Sequence, residues 1–349
     1  MPPPPSSSYY LPAEWQRHAA TWLAWPHNRT DWPGKMSVIP WVYVEMVRHL
    51  VTSEPVRILV NSQSMETKAR HLLESAHVDL AQVTFLTWPT NRGWMRDSGP
   101  IMAIGPDKRS SVLDFAFTAW ARYPHWQQDN AVASLAAEYL NISKVIPTHN
   151  DQQVVLEGGA IDVNGEGTIL TTTECLLDPR VQVRNRGFSA KDYEDIFECY
   201  LGAKQTLWLK AGIAGDDTHG HIDDVCRFVN SHTVVIAQES NSTDENYAGL
   251  AENRECLANV TLGNGQRLTV IHLPMPAPLV HRGQRLPASY ANFYIANEIV
   301  LVPTFNDTQD RVALGLLAEL FPTRRVIGIH AVDLVLGGGS LHCLTQQAI

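Results

Sequence analysis

The amino-acid sequence predicts an α/β fold built from repeated units, based on two periodic patterns and one missing motif. Apolar residues recur with helical spacing at 37–50, 64–77, 130–140, 190–201, 244–257 and 309–321. Short β-branched or apolar runs, typical of strands, occur at 56–60, 83–87, 112–117, 169–173, 234–237, 268–272 and 299–302. No glycine-rich turn follows the first of these runs, which argues against a doubly wound nucleotide-binding sheet.

These elements repeat as two or three strands followed by one helix, about every 60 residues. The last helix has signals at both ends, because Asp307 or Thr308 can cap its first turn and Pro322 prevents its continuation. We expect one folded domain over residues 11–349, preceded by a disordered leader at 1–10 that is rich in proline and serine.

Composition disfavours several classes of partner. The chain has 349 residues, 44% of them hydrophobic, and a net charge of -9, with no basic run that could follow a phosphate backbone. We therefore expect no nucleic-acid partner, and the acidic balance favours small cationic ligands. The N-terminus lacks the features of a signal peptide, and no apolar run is long enough to span a bilayer. We expect no membrane partner.

The chain has five cysteines at irregular spacings and no CxxC pair. This pattern argues against a disulfide framework and a structural zinc site, and we expect a reducing, cytoplasmic location. The sequence leaves the oligomeric state open, with a homodimer as one option. Cys343 follows the glycines at 337–339, which permit close approach of the backbone to a ligand. On its own, however, a free cysteine is usually a small buried apolar residue.

Three other segments carry charges where loops are expected. Arg96 and Asp97 lie between two strand-like runs, Glu157 precedes two glycines, and residues 215–224 combine acidic residues with two histidines. Each segment also has a simpler interpretation. The Arg96–Asp97 pair could be a surface ion pair of little energetic value, and the acidic segment could be a solvated loop or a metal site.

Together these residues match the requirements for hydrolysing a guanidinium group. Two carboxylates can hold a planar guanidinium through paired hydrogen bonds, and a thiolate can then attack its central carbon. A histidine must protonate the departing ammonia and activate water, and a further carboxylate would orient that histidine. For these roles the chain offers Cys343, His221, Asp97, Asp223 and Glu157.

The choice of histidine is not fixed by spacing. His221 and Asp223 form a His-x-Asp pattern, which places both side chains on one face if the segment is a strand leading into 225–229. His219 has the same parity, so it remains an alternative. The same loop also leaves open a metal-dependent hydrolase, because its histidines and aspartates are competent ligands.

Short motifs in order, from Pro12 onward, resemble those of the agmatine deiminases, within the peptidylarginine-deiminase-like family of the guanidine-modifying (pentein) superfamily. The motifs are PAEW at 12–15, TWLAWP at 21–26, RDSGP at 96–100, EGG at 157–159, GHID at 220–223, ASYANF at 288–293 and GGGSLHCLTQQ at 337–347. Several motifs in order are more specific than any one of them.

The resemblance implies an α/β propeller of five ββαβ modules with pseudo-fivefold symmetry. It also implies hydrolysis of agmatine to N-carbamoylputrescine and ammonia through a covalent thiouronium intermediate on Cys343, without a metal or organic cofactor. In this scheme His221 is the general acid and base, Asp97 and Asp223 clamp the guanidinium, and Glu157 supports the histidine.

Other residues would contact the rest of the substrate. Trp94 and Trp120 are candidate walls for its methylene groups, with core packing as the alternative. A distal ammonium could be attracted by the surplus carboxylates Asp216, Asp217 and Asp224, of which Asp217 is taken as substrate-binding. Agmatine deiminases have a glycine-rich segment where this chain has residues 121–125, and Arg122 could instead meet an α-carboxylate.

Two rival functions within the same fold also remain open. One is hydrolysis of another guanidine, such as peptidyl-arginine, arginine or a methylarginine. The other is a non-catalytic pentein that only binds a partner, against which the presence of every catalytic residue type argues.

Overall fold

Within residues 9–349 the strands form five sheets of three or four strands each, together with two short hairpins. The structure is a computed structural model that describes residues 9–349. In four of the sheets the first strand pairs antiparallel with the second, and the second pairs parallel with the third. A helix connects the second strand to the third, as parallel pairing requires. Each of these four sheets is therefore a ββαβ unit.

The strands of the four units are Ile101–Ile104, Ser110–Leu113 and Ser143–Val145; Asp162–Val163, Thr168–Thr172 and Gln205–Leu209; Cys226–Asn230, Thr233–Gln238 and Thr269–Pro274; and Tyr294–Ile295, Ile299–Thr304 and Arg325–His330. The connecting helices are Val132–Leu140, Ala190–Ile196, Asn246–Leu257 and Gln309–Leu320.

The fifth sheet joins the two ends of the described chain. Strand Gln346–Ala348 pairs antiparallel with Ala20–Ala24, which is followed in parallel by Val56–Leu59 and Val83–Leu86. The helices between these parallel strands are Ile39–Leu50 and Gln63–Ser75. The last strand of the chain thus supplies the antiparallel partner that the other four units carry in sequence.

Short elements complete the chain. The hairpins are Thr148–His149 with Gln152–Gln153 and Val280–His281 with Gln284–Arg285. Single helical turns are Leu80–Gln82, Met95–Ser98, Ala119–Ala121, Gln127–Asn130, Gly158–Ala160, Thr173–Leu177, Phe197–Leu201, Ile222–Asp224, Leu334–Gly337 and Leu341–Leu344. Among residues 9–349, no helix has both the length and the apolar character needed to cross a membrane.

All six predicted helices are present, with differences at their ends. Ala190–Ile196 continues as a wider π turn to Leu201, and the helix predicted from 130 begins at Val132 after a separate turn. Asp307 caps the last helix, because its Oδ1 accepts the amide of Gln309 at 2.8 Å. The alternative cap, Thr308, makes no such bond.

Two sequence expectations need comment. The His-x-Asp segment is not a strand: His221 precedes the 3-10 turn Ile222–Asp224, and the strand begins only at Cys226. Of the leader expected at 1–10, residues 1–8 lie outside the described range. Tyr10 belongs to the fold, because its backbone forms a bridge with Ile104.

Candidate active site

The buried polar residues of the site occupy equivalent places in the five units. Each lies a few residues before the strand that pairs antiparallel in its sheet. These residues are Asp97, Glu157, Asp223, Asn292 and Cys343. Four of them lie on or next to single helical turns that contact one another, which brings segments from distant parts of the sequence to one point.

Cys343 is 6% exposed and lies on the turn Leu341–Leu344. Its Sγ accepts a hydrogen bond from Asn292 Nδ2 at 3.0 Å and lies 3.6 Å from Asp223 Oδ2. Burial, together with the negative charges of Asp223, Asp224 and Asp97, raises the pKa of the Cys343 thiol well above its usual value. In the free protein this cysteine is therefore a neutral thiol.

Asp97 lies in the turn Met95–Ser98 and is buried. Its Oδ1 accepts the amide of Gly159 at 3.0 Å, and its Oδ2 accepts the indole N–H of Trp120 at 2.8 Å. Burial and the neighbouring carboxylates of Asp223 and Glu157 raise the pKa of Asp97 to about 6. An incoming cation would favour its ionised form.

His221 lies between two carboxylates. Its Nδ1 is 3.7 Å from Asp97 Oδ1 and its Nε2 is 3.9 Å from Glu157 Oε2. Neither ring nitrogen has a hydrogen-bond partner within residues 9–349. Burial disfavours the charged ring, but Asp97, Cys175 and Glu157 outweigh burial and raise the pKa of His221 well above its usual value. His221 is therefore held as a proton donor.

Glu157 is fixed by an arginine that sequence reasoning missed. The Arg184 Nε donates to both carboxylate oxygens, at 3.1 and 3.3 Å, and its Nη2 donates to the Thr218 carbonyl at 2.6 Å. Burial alone would favour protonated Glu157, yet Arg184 and His221 lower its pKa to about 2. Glu157 thus provides a permanent negative charge beside His221.

Asp223 is completely buried and is held from behind by His342, whose Nδ1 lies 2.7 Å from its Oδ2. The other oxygen, Oδ1, has no hydrogen-bond partner in the described part of the chain. Asn292 links His342 to Cys343, because its Oδ1 accepts the backbone amide of His342 at 3.0 Å and its Nδ2 donates to Cys343 Sγ at 3.0 Å.

At two positions of the site, a residue larger than glycine would collide with neighbouring side chains. A Cβ on Gly159 would lie 2.5 Å from His221 Nδ1 and 2.8 Å from Asp97 Oδ1. A Cβ on Gly339 would lie 2.8 Å from Cys343 Sγ. The glycine motifs of the sequence therefore allow the side chains of His221, Asp97 and Cys343 to approach the backbone closely.

The pocket above Cys343 is narrow, and both tryptophans predicted to form its walls line it. Trp94 also packs against Trp32 with ring centroids 5.4 Å apart, so its core and wall roles coincide. At the mouth, the Tyr123 hydroxyl donates to Asp217 Oδ2 at 2.6 Å. Outside this contact lies a cleft of about 360 Å³.

The remaining acidic residues of the 215–224 segment have structural roles. Asp216 accepts the amides of Thr218 and Gly220 and so shapes the loop, whereas Asp224 is buried against Asn292. Only Asp217 of the three surplus carboxylates lines the pocket and cleft. His219 points elsewhere, toward Asp178 at 3.1 Å, and is not brought to Cys343.

Two groups of potential metal ligands have their atoms within 4.8 Å of one another in residues 9–349, and neither includes His219. They are Glu157 with Cys175 and His221, and Asp223 with Asp224 and Cys343. In both groups a carboxylate is already bonded within the protein: Glu157 by Arg184, and Asp223 by His342. Neither group is the His219-containing site that the composition of the loop suggested.

Sequence reasoning assigned no role to several site residues. Arg227 and Glu14 are the clearest examples, since each is a buried charge inside an apolar segment. A charge in such a position signals a buried ion pair, but the sequence does not name its partner. The contact between Glu14 and Arg227, at 3.0 Å, joins residues more than 200 positions apart.

Known proteins resemble this chain over nearly its whole length. A protein of Legionella pneumophila, provisionally named an agmatine deiminase, is 33% identical over 347 residues, covering 99% of this chain and 96% of that protein. The solved structure of the agmatine deiminase of Enterococcus faecalis superposes with a TM-score of 0.88 at 29% identity, covering 97% and 95% of the two chains.

The Cys-to-Ser variant of the C. jejuni agmatine deiminase with bound substrate superposes with a TM-score of 0.85 at 30% identity, covering 97% and 96%. The mixed α/β fold is thus the fold of these enzymes. The family model of the Porphyromonas-type peptidyl-arginine deiminases matches residues 10–348, and the chain belongs to this family.

Proposed function

We propose that this protein hydrolyses agmatine to N-carbamoylputrescine and ammonia, with Cys343 as the nucleophile. The observation that carries the proposal is the convergence of two buried carboxylates, Asp97 and Asp223, with the Cys343 thiol. Asp223 Oδ2 lies 3.6 Å from the sulfur, and Asp97 contributes to the negative field around it. A planar cation fits between acidic groups placed in this way.

The first half-reaction uses the charge of the substrate. Binding of the guanidinium offsets the negative field that keeps Cys343 protonated, so the thiol releases its proton to solvent as the cation enters, and the thiolate attacks the central carbon. His221, already protonated, donates its proton to one nitrogen of the tetrahedral adduct. That nitrogen leaves as ammonia, and the substrate remains bound to sulfur as a thiouronium.

The second half-reaction reverses the role of His221. The neutral ring accepts a proton from water as the oxygen adds to the thiouronium carbon. The adduct then expels the Cys343 sulfur, and the remaining hydroxyl proton passes to that sulfur as the ureido carbonyl forms, which restores the neutral thiol. Glu157 stays ionised throughout, since its pKa is about 2, and stabilises the imidazolium in both steps.

Agmatine is favoured over other guanidines by Asp217 at the mouth of the pocket. Its carboxylate lines both the narrow pocket and the outer cleft, where a distal ammonium could meet it. The curated and structural relatives named as agmatine deiminases support the same substrate.

Free or peptidyl-arginine is the second candidate, favoured by Arg122 and Arg282 in the outer cleft. Either arginine could meet a carboxylate that agmatine lacks. Arg122 is exposed and contacts Gln182 at 3.4 Å, so it is not committed to a buried partner.

A panel of guanidines decides between these substrates. The ureido product and ammonia are measured with agmatine, arginine, a peptidyl-arginine and a methylarginine, and Cys343→Ala serves as the control for contaminating activity. We expect kcat/KM to be highest for agmatine. Equal or higher kcat/KM on arginine or peptidyl-arginine would move the assignment to that substrate. Absence of product from every guanidine would instead favour the non-catalytic alternative, a protein that only binds a partner.

We further propose that the five units close into a propeller with pseudo-fivefold symmetry. Two observations support this arrangement: the equivalent position of the site residues in each unit, and the pairing of the last strand with Ala20–Ala24. A cytoplasmic location remains a prediction from the sequence, which cell fractionation would test. The sequence leaves the oligomeric state open, with a homodimer as one option, and sedimentation velocity would decide it.

A further inference from the structure

We propose that His342 is a positioning residue that acts through Asp223. As an imidazolium between Asp223 and Glu14, it keeps the Asp223 carboxylate ionised and turned toward the substrate guanidinium. This inference rests on the proposed function, because it takes Asp223 to be a guanidinium acceptor.

The protonation state of His342 follows from its two neighbours. Its Nδ1 lies 2.7 Å from Asp223 Oδ2, and its Nε2 lies 2.7 Å from Glu14 Oε2. An ionised carboxylate only accepts hydrogen bonds, so each nitrogen must carry a proton to bond its neighbour. All three side chains are buried, which makes an unpaired lone pair at either contact costly.

The Asp223 carboxylate depends on the positive charge of His342 more than the Glu14 carboxylate does. Glu14 has other partners, because Arg227 lies 3.0 Å from its Oε1 and Arg96 lies 3.1 Å from its Oε2. For Asp223, His342 is the one cationic side chain in hydrogen-bond contact within the described residues. Removing the charge of His342 would therefore affect Asp223 more than Glu14.

The contact also orients Asp223. His342 occupies Oδ2, which leaves Oδ1 as the oxygen without a partner in residues 9–349. His342 is adjacent to Cys343 in the turn Leu341–Leu344, and its amide donates to Asn292 Oδ1 at 3.0 Å. One short turn thus fixes both the nucleophile and the carboxylate that must hold the substrate beside it.

Asp223 titrates in a crowded environment. Burial would favour its protonated form, but His342, followed by His221 and Arg227, lowers its pKa. The charged or titratable groups around it are His342, His221, Arg227, Asp97, Asp224 and Cys343. Of the three groups that lower its pKa, His342 is the one in hydrogen-bond contact with Asp223, and its loss leaves the proposed nucleophile and acid/base unchanged.

The test is the pH profile of kcat/KM for His342→Gln. Glutamine can still donate a hydrogen bond to Asp223 but carries no charge. In the wild type we expect the acid limb to follow Asp97, with a pKa of about 6. In the variant, losing the adjacent opposite charge should raise the pKa of Asp223 by about 1–3 units from its lowered value. A second carboxylate then protonates close to Asp97, so the acid limb should become steeper than in the wild type. KM should rise more than kcat falls.

His18→Gln is the matched control. His18 is also buried against a carboxylate, Glu54 at 3.0 Å, but it does not contact Asp223. We expect this control to leave the acid limb in place even if it lowers Tm. A reduced Tm for His342→Gln with a wild-type pH profile would reduce His342 to a structural role and overturn the inference.

Agmatine binding gives a second measurement that does not need turnover. The Kd for agmatine is measured across pH for Cys343→Ala and for the double variant that also carries His342→Gln. We expect the affinity of the double variant to fall increasingly below that of Cys343→Ala as the pH is lowered. If wild type deiminates agmatine and both profiles are unchanged, the inference alone is wrong. If Cys343→Ala binds no guanidine at any pH, the inference falls with its premise.

Discussion

At the scale of single residues, the site is organised by opposing charges. Burial, together with the negative charge of neighbouring carboxylates, keeps Cys343 as a thiol and raises the pKa of Asp97 to about 6. A cationic guanidinium relieves both effects when it binds. The negative charge of the site is thus complemented only when the substrate guanidinium is bound. Substrate binding is therefore coupled to formation of the nucleophile.

The two histidines of the 215–224 segment should behave very differently. His221→Ala should lower kcat by a factor of about 10²–10⁴, the usual contribution of general acid–base catalysis. His219→Ala should retain nearly wild-type kcat/KM, because its ring contacts Asp178 and Glu174 rather than the nucleophile. Steady-state kinetics of both variants check this, and the reverse pattern would reassign the acid/base to His219.

At the scale of elements, short turns rather than long helices or strands position the chemistry. The turn Gly158–Ala160 illustrates this, because Gly159 donates its amide to Asp97 while leaving room for His221. Such turns can be packed closely only when their backbone carries no side chain at the contact.

Gly159→Ala should therefore disrupt catalysis more than folding. The new methyl group would displace His221 or Asp97, and a misplacement of about 1 Å can cost on the order of 10²-fold in rate. Gly315→Ala is the control, because a Cβ added at this position of the helix Gln309–Leu320 would meet no atom within 4 Å. Comparable kcat/KM for the two variants would show that Gly159 tolerates a side chain.

Recognition of the substrate tail belongs to the loops at the mouth. Asp217→Asn should raise KM for agmatine about tenfold, equivalent to about 1.4 kcal/mol, because the distal ammonium loses its acidic partner. Butylguanidine, which lacks that ammonium, serves as the control substrate, and its KM should stay unchanged. An equal effect on both guanidines would mean that Asp217 acts through Tyr123 and the shape of the mouth.

Local patterns predicted the regular elements well but not the turns. The six helices follow from apolar spacing, which burial against the sheets preserves. The segment from His221 to Asp223 was expected to be extended, whereas it enters a 3-10 turn. The amides of Gly220 and His221, just before that turn, donate to Asp216 Oδ2. Side-chain bonds to the backbone of this kind compete with a strand and leave no periodic signal.

At the scale of the whole molecule, buried charge is concentrated where the single helical turns of separate sheets contact one another. The sequence indicated which residues would meet, through motifs spread along the chain. It did not indicate Arg184, Arg227 or His342, because their partners are set by tertiary contacts between separate units. Buried charges without partners are costly, so each such charge predicts a partner without identifying it.

This arrangement should make the protein more stable when Asp97 is neutral. The pKa of Asp97 is raised from its usual 3.8 to about 6, so the folded state binds its proton more tightly than the unfolded state. Asp97 therefore lowers stability progressively as pH rises from about 4 through 6, by linkage. The Tm of Asp97→Asn minus the Tm of wild type should accordingly be higher at pH 8 than at pH 4.

Thermal denaturation across this pH range checks the sign. Asp107→Asn is the control, because Asp107 has a 62% exposed side chain and lies on the surface. Its Tm should stay close to that of wild type throughout. A Tm difference for Asp97→Asn that is constant or falls with pH would contradict a buried, raised-pKa carboxylate.

The covalent step at Cys343 is the central claim, and intact-protein mass spectrometry after rapid acid quenching tests it most directly. With agmatine, a fraction of the protein should gain the mass of agmatine less one ammonia, and fragmentation should place the adduct on Cys343. Cys343→Ala should show neither adduct nor N-carbamoylputrescine. Formation of the ureido product by Cys343→Ala at a rate near wild type would contradict the account.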